Sequence, residues 1–201
     1  MKEHFADHEG LTLLVDIIES KMDDLIGIFN QVNKDGLESN SIIPLNKIST
    51  LHLARWVILE KSADQKGEPI PAHLVFGSNF EGSLENHIDE LAEKLHTGLV
   101  KIFSHCKGFP TNEKISKYDL VLYIKKISIP KRGFFIGAWG RSLIQIKNEE
   151  KLYYEIQSFF DANYENLKSK SGLEIHKQTR DYIYKNPEFE WAKNPSPKRS
   201  I

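Results

Sequence analysis

Residues 50–82, which read TLHLARWVILE, then a polar loop, then PAHLVFGSNFEG, restrict the possible folds more than any other stretch. In the first half, Leu51, Leu53, Arg55, Val57 and Leu59 alternate with His52, Ala54, Trp56 and Ile58. That is the period of two that extended backbone imposes on side chains. Both sets are mostly apolar. A strand with one wet face carries polar residues at every second position, so this one requires cover on both sides. Helices can supply one cover, and the other must come from elsewhere.

The flanking sequence supplies the helices. Residues 11–18 alternate as a first strand, and Ser20 is placed to cap a helix in which Met22, Leu25, Ile28, Phe29 and Val32 recur at helical spacing until Gly36 stops it. Residues 37–48 form a polar loop around Pro44. Residues 61–69 make too long a connection for a tight hairpin turn. Ser83 caps a helix with Ile88, Leu91, Ala92 and Leu95 in one stripe, which Thr97-Gly98 breaks. A second piece carries Leu99, Ile102, Phe103 and Cys106 to Gly108-Phe109-Pro110. Ser116 opens another helix, with Leu120, Tyr123, Ile124 and Ile127 on one face, and Pro130 forbids its extension.

Residues 134–139, FFIGAW, read as a last strand, and Ser142 with Gln145 as the capping box of a long helix. A further helix is expected over 173–184. The prolines of the tail predict an extended, linker-like end that packs only where Phe189 and Trp191 dock, as in a piece of a longer protein. Without its inserted helices the order is βαββαβ, the ferredoxin-like α+β arrangement of a four-stranded antiparallel sheet with helices on one face. The expected division is a ferredoxin-like domain over 1–168 and a C-terminal helix with its proline-containing tail over 169–201. Covering the bare face then falls to a second copy, packed sheet to sheet as a homodimer, or to a fused second half.

Composition narrows the partners. With 27% charged residues, 40% hydrophobic residues and a net charge of -1, the chain is globular and has no overall basic field for nucleic acid. No stretch is apolar for long enough to span a membrane, and the start lacks a cationic region followed by an apolar run. The single cysteine, Cys106, excludes an internal disulfide framework and fits a reducing compartment, so a cytoplasmic location is expected.

The strings HLARWV at 52–57, SNFEG at 78–82, HCKGFP at 105–110 and GRS at 140–142 together resemble a family of mostly uncharacterised bacterial proteins, often longer than this chain. That family lies within or near the dimeric α+β barrel superfamily. The resemblance spans nearly the whole chain but brings no catalytic residues with it. It implies the sheet-to-sheet dimer. Dye-decolourising peroxidases, chlorite dismutases and small monooxygenases share the superfamily fold. By analogy this implies an oxidoreductase or monooxygenase-like enzyme acting on a small apolar ligand, with haem as a candidate cofactor. The alternative is a non-catalytic dimerisation or assembly module.

Several residues stand out as candidate site residues. Arg55 lies among leucines, near Gly77 if the two strands pair about their loop, with Asn79 on the same face. Arg55 and Asn79 would polarise a reactive group, unless Arg55 completes a buried ion pair with Asp16 or Glu81. His52 and Trp56 share the opposite face. His52 is either an axial ligand or proton shuttle, or a satisfied core histidine. Gly140-Arg141-Ser142 sets free backbone N–H groups and a guanidinium at a helix start, suited to an anion or to capping alone, and Trp139 is grouped with Arg141 as a binding residue. Cys106 continues an apolar stripe and reads as a buried structural thiol. The remaining histidines are dispersed without metal-ligand spacing.

Overall fold

The computed structural model describes residues 6–36, 40–137 and 140–193. The chain divides into two compact units, Ala6–Gly140 and the described residues from Arg141 onward. The first unit is α+β. Its strands are β1 (His8–Asp16), β2 (Leu51–Leu59), β3 (Ser62–Ala63), β4 (Pro69–Ile70) and β5 (His73–Glu81). Its helices are α1 (Met22–Asp35), α2 (Leu84–Lys94), α3 (His96–Phe103) and α4 (Lys117–Ile127).

The long strands form an antiparallel sheet in the order β1-β5-β2, and alternation decides which side of it is buried. Leu11, Leu13 and Val15 of β1 and Leu74, Phe76 and Phe80 of β5 point into one core, joined by Leu25 and Ile28 of α1, Leu91 of α2, Ile102 and Phe103 of α3 and Leu120 of α4. All four helices therefore contribute to the same core. The opposite parity carries the exposed side chains Leu14, Leu53, Val57 and Leu59. β3 and β4 form a small ribbon within the connection between β2 and β5. Asp64 closes it by accepting from the N–H groups of Lys66 (2.8 Å) and Glu68 (2.9 Å).

Helix boundaries follow local chemistry in most places. Ser83 accepts from the N–H of Asn86 at the start of α2, and Ser116 with Asp119 forms a full capping box on α4. Two expectations fail. Ser20 lies inside a 3-10 turn (Glu19–Lys21), and α1 starts behind Lys21 with no side-chain cap. Gly98 does not break the helix. The break comes at Leu95, and Gly98 sits within α3, where a Cβ would fall on the carbonyl oxygen of Ile42 and 3.0 Å from its carbonyl carbon. Glycine is there because backbone approaches backbone, which the sequence alone cannot distinguish from a helix stop.

The expected last strand is also corrected: Phe134, Phe135, Ile136 and Gly137 form no strand, and residues 138–139 lie outside the described residues. The outer edge of β1 is instead met at separate points. Ile129 N–H donates to Thr12 O (2.9 Å) and Lys107 N–H to Asp16 O (2.8 Å), and just before the strand Ala6 N–H donates to Gly140 O (3.3 Å). Isolated bridges satisfy the edge where a paired strand was expected.

The second unit is helical in its described part: α5 (Leu143–Leu167), α6 (Gly172–Lys185) and 3-10 turns over Pro187–Lys193. Ser142 caps α5 by accepting from Gln145 N–H (3.0 Å), while the Gln145 side-chain amide reaches forward to Glu149. Ser171 and Glu174 cap α6 reciprocally. Phe159, Leu167, Ile183 and Phe189 are its buried apolar side chains among the described residues. The segment after α6 is thus turned and anchored by Phe189 up to Lys193, not extended as its prolines predict.

Candidate functional site on the open sheet face

The register sorts the open face into rungs, each taking one residue from β2, β5 and β1. Leu59, His73 and Asp16 form the first, and Val57, Val75 and Leu14 the second. Arg55, Gly77 and Thr12 form the third, and Leu53, Asn79 and Gly10 the fourth. Arg55 is directly opposite Gly77, where a Cβ would meet its Nε at 3.6 Å and its Cγ at 3.7 Å, so the side chain lies across the glycine. Asn79 follows on the next rung. The three residues expected to share a site do share one face.

Arg55 is not the buried, ion-paired arginine that one reading of the sequence requires. It is exposed, and both proposed partners are engaged elsewhere. Asp16 contacts His73 (3.2 Å) and Lys107 (3.1 Å), and Glu81 contacts His52 (2.9 Å). Arg55 forms no ion pair with any described residue. It stands between an aliphatic rung and a polar one, as a cation available to a ligand.

His52 departs from the expected pattern more sharply. The pairing of β2 with β5 shifts between Leu51 and Leu53, an irregularity that inserts His52 as an extra residue. Leu51 packs on the core opposite Phe80, whereas His52 hydrogen-bonds Glu81, whose parity is that of Asn79 and Gly77. His52 therefore shares the face of Arg55 and not that of Trp56. His8, paired with Glu81 in the register, sets its ring edge-on to that of His52 with centroids 4.9 Å apart.

Trp56 remains on the helix side. Phe29, Phe76 and Phe103 surround it at centroid distances of 5.6, 4.4 and 5.9 Å, and its indole N–H is buried among them. It is a core residue, packed away from the open face. Arg141 belongs to the second unit and is ion-paired with Glu149. Trp139 lies outside the described residues.

Phe134 is a wall that its assignment to a strand concealed. Its ring lies against Gly10, where a Cβ would come within 3.1 Å of Cε2. Asn79 thus has Leu53 on one side and Gly10 with its covering Phe134 on the other. Arg55 stands at one end of this slot and His52 with Glu81 at the other. Alternation alone could not reveal Phe134, His8 or Glu81 as neighbours, because only the register brings them together.

Haem, the cofactor the resemblance implies, does not fit these residues. His52 would be its axial ligand and, with Nε2 held by Glu81, would have to use Nδ1, but it lies on an open strand face, and Trp56, expected beside it, faces the other way. The slot is a surface and not an enclosed cavity. Among the described residues of the first unit, a hollow of about 430 Å³ is lined by Phe29, Asn30, Trp56 and also Arg55, and one of about 640 Å³ lies beside His96, Cys106 and Phe109; neither includes His52. Purified protein mixed with haem should accordingly develop no Soret band from histidine ligation, and a band lost on His52→Ala substitution would reverse this assignment.

Among the described residues, no group of three or more His, Cys, Asp and Glu side chains is arranged to hold a metal ion, and no helix is long and apolar enough to cross a membrane. Burial pushes the Cys106 thiol up to about 12, which leaves it an inert core group as its apolar stripe predicts. One buried polar pair escaped the sequence reading. Ser78 Oγ and His87 Nε2 are 2.9 Å apart in the core, and the imidazole stacks on Phe80 at 3.7 Å. Nothing matches this chain in comparisons with protein-family models, curated proteins and solved structures.

Proposed function

We propose that the chain binds a small, largely apolar ligand bearing an oxyanion on the open face of a ferredoxin-like sheet, and that a second sheet closes the site. The observation that carries this reading is Arg55 laid across Gly77, between the aliphatic rung of Val57 and the rung of Leu53 and Asn79, with no carboxylate partner among the described residues. Once covered, a guanidinium in such a place requires an anion, because a buried unpaired charge is strongly destabilising. The strand order β1-β5-β2 supports the ferredoxin-like assignment. It is the order that arrangement retains when its fourth strand, beside β1, is replaced by isolated bridges.

The covering sheet is a second copy of this chain or a fused second half of a longer one. Exposed Leu53, Val57 and Leu59 on a sheet face favour such a partner over bulk water. Light scattering should show a homodimer, and Leu53→Asp, which places a charge at the centre of the apolar contact, should convert it to monomer. A wild-type monomer would exclude the second copy. An oxidoreductase or monooxygenase-like activity rests on the resemblance to the dimeric α+β barrel superfamily. The exposed leucines alone support the second reading, an assembly module without a ligand.

Benzoate separates the two readings. In a titration followed by amide NMR, the ligand reading expects saturable shifts at Gly77 and Asn79 that Arg55→Gln abolishes while the dimer persists. A wild-type dimer whose Gly77 and Asn79 signals ignore both benzoate and octanoate would leave the assembly module.

A further inference from the structure

The bulge in β2 needs an explanation of its own. A regular strand would have sent His52 into the core with Trp56, and the extra residue turns it to the slot instead. Bulges recur beside active sites because they re-aim one side chain without disturbing its neighbours. Here the re-aimed side chain meets a carboxylate, His52 Nε2 to Glu81 Oε1 at 2.9 Å, with the two side chains only 17% and 19% exposed. His8 lies edge-on to the ring. We propose that His52 is a proton acceptor for the ligand of this slot, held and charge-balanced by Glu81. The inference rests on the slot binding a ligand, as argued above.

The geometry fixes the chemistry. When the Nε2–H of a neutral imidazole donates to a carboxylate, the lone pair is left on Nδ1, the atom that then takes a proton. In the step itself, the O–H bond of the ligand breaks, its proton forms the new N–H bond at His52 Nδ1, and the electron pair stays on the ligand oxygen. The imidazolium is stabilised by Glu81, and the proton returns to ligand or solvent on release. No oxidant or reductant takes part.

The ligand class follows from the two ends of the slot. Arg55 and His52 are three residues apart on β2, about 10 Å between backbone positions in an extended strand, with Asn79 between their rungs and Phe134 and Leu53 to either side. A flat ring spans that distance. It would carry its oxyanion towards Arg55 and a weakly acidic hydroxyl, a phenol or an enol, towards His52. Imidazole accepts a proton efficiently only from a group of comparable acidity.

4-Nitrophenol is the matching probe, because its nitro group presents Arg55 with the planar pair of oxygens of a carboxylate and its phenolate absorbs visibly. Below the probe's own midpoint in buffer, saturating wild-type protein should raise the ionised fraction about tenfold, the effect of a nearby opposite charge. His52→Gln should still bind the probe, with ionisation back at the buffer value. Glu81→Gln, which keeps a hydrogen bond to His52 without the charge, should give a value between the two and serves if His52→Gln does not fold. Arg55→Gln should lose binding. Saturable binding by wild-type protein without extra ionisation, or ionisation that survives His52→Gln, would overturn the proton acceptor and leave the slot standing. Absence of saturable wild-type binding would overturn the slot and the proton acceptor with it.

Discussion

Gly98→Ala should destabilise the first unit by about 3–5 kcal/mol in urea melts, although helix propensity alone favours alanine by about 1 kcal/mol. The added methyl would fall on the carbonyl oxygen of Ile42. Nothing flexible can yield there, since the obstacle is backbone, so either α3 or the loop before β2 must move. Gly27→Ala in α1 is the internal control. No atom lies within 4 Å of that added Cβ, and the same substitution should stabilise by about 0.5–1 kcal/mol. If the two variants melt alike, the close passage of residue 42 over α3 is wrong.

Acid should destabilise the fold through His87. Burial pushes its pKa down to about 4 from an ordinary value near 6.5, against a weaker opposing pull from Glu90. The folded state therefore holds the ring neutral between those two values, where the unfolded chain binds a proton. Stability from this group is fully present above about pH 6.5 and is lost as pH falls through about 4. The slope reaches roughly 1.4 kcal/mol per pH unit, about 3 kcal/mol in all. His87→Gln, which can still hydrogen-bond Ser78, should flatten the stability profile across that window relative to wild type. Parallel profiles would mean that the imidazole reaches solvent and titrates normally.

Both effects depend on tertiary contacts, and this marks what the sequence could disclose. Alternation in β2 identified a strand with two apolar faces, and pairing about the connecting loop placed Arg55 near Gly77 with Asn79 on the same face, because the loop sets the register and the period sets the face. Ser83 and Ser116 announced their helices, since a cap acts within one turn. His52 was assigned to the wrong face. A bulge adds a residue without changing composition, so counting by twos from Leu51 gives no warning of it. Gly98 looked like a helix stop because propensity is local and the approach of Ile42 is not. Residues 134–139 have strand composition, but β1 already meets Ile129 and Lys107 at its edge, and Phe134 lies against Gly10 instead. His87 and Ser78 sit on different elements, and only their packing brings them into contact.

The isolated bridges along β1 also bear on the order of folding. The inner edge of β1 waits for β5, its outer edge waits for backbone from Lys107 and Ile129, and the residues flanking it, Ala6, Ile17 and Ile18, wait for Gly140, Cys106 and His105, all distant in the chain. Closing such long loops precedes the gain from pairing, which slows folding and leaves strand edges bare meanwhile. On a ribosome, the first strand made would be the last to be fully paired. A nascent chain ending after α3 would present β1 with an open edge and an apolar core half built. That intermediate is the species most exposed to chaperone capture or to pairing with its own copies.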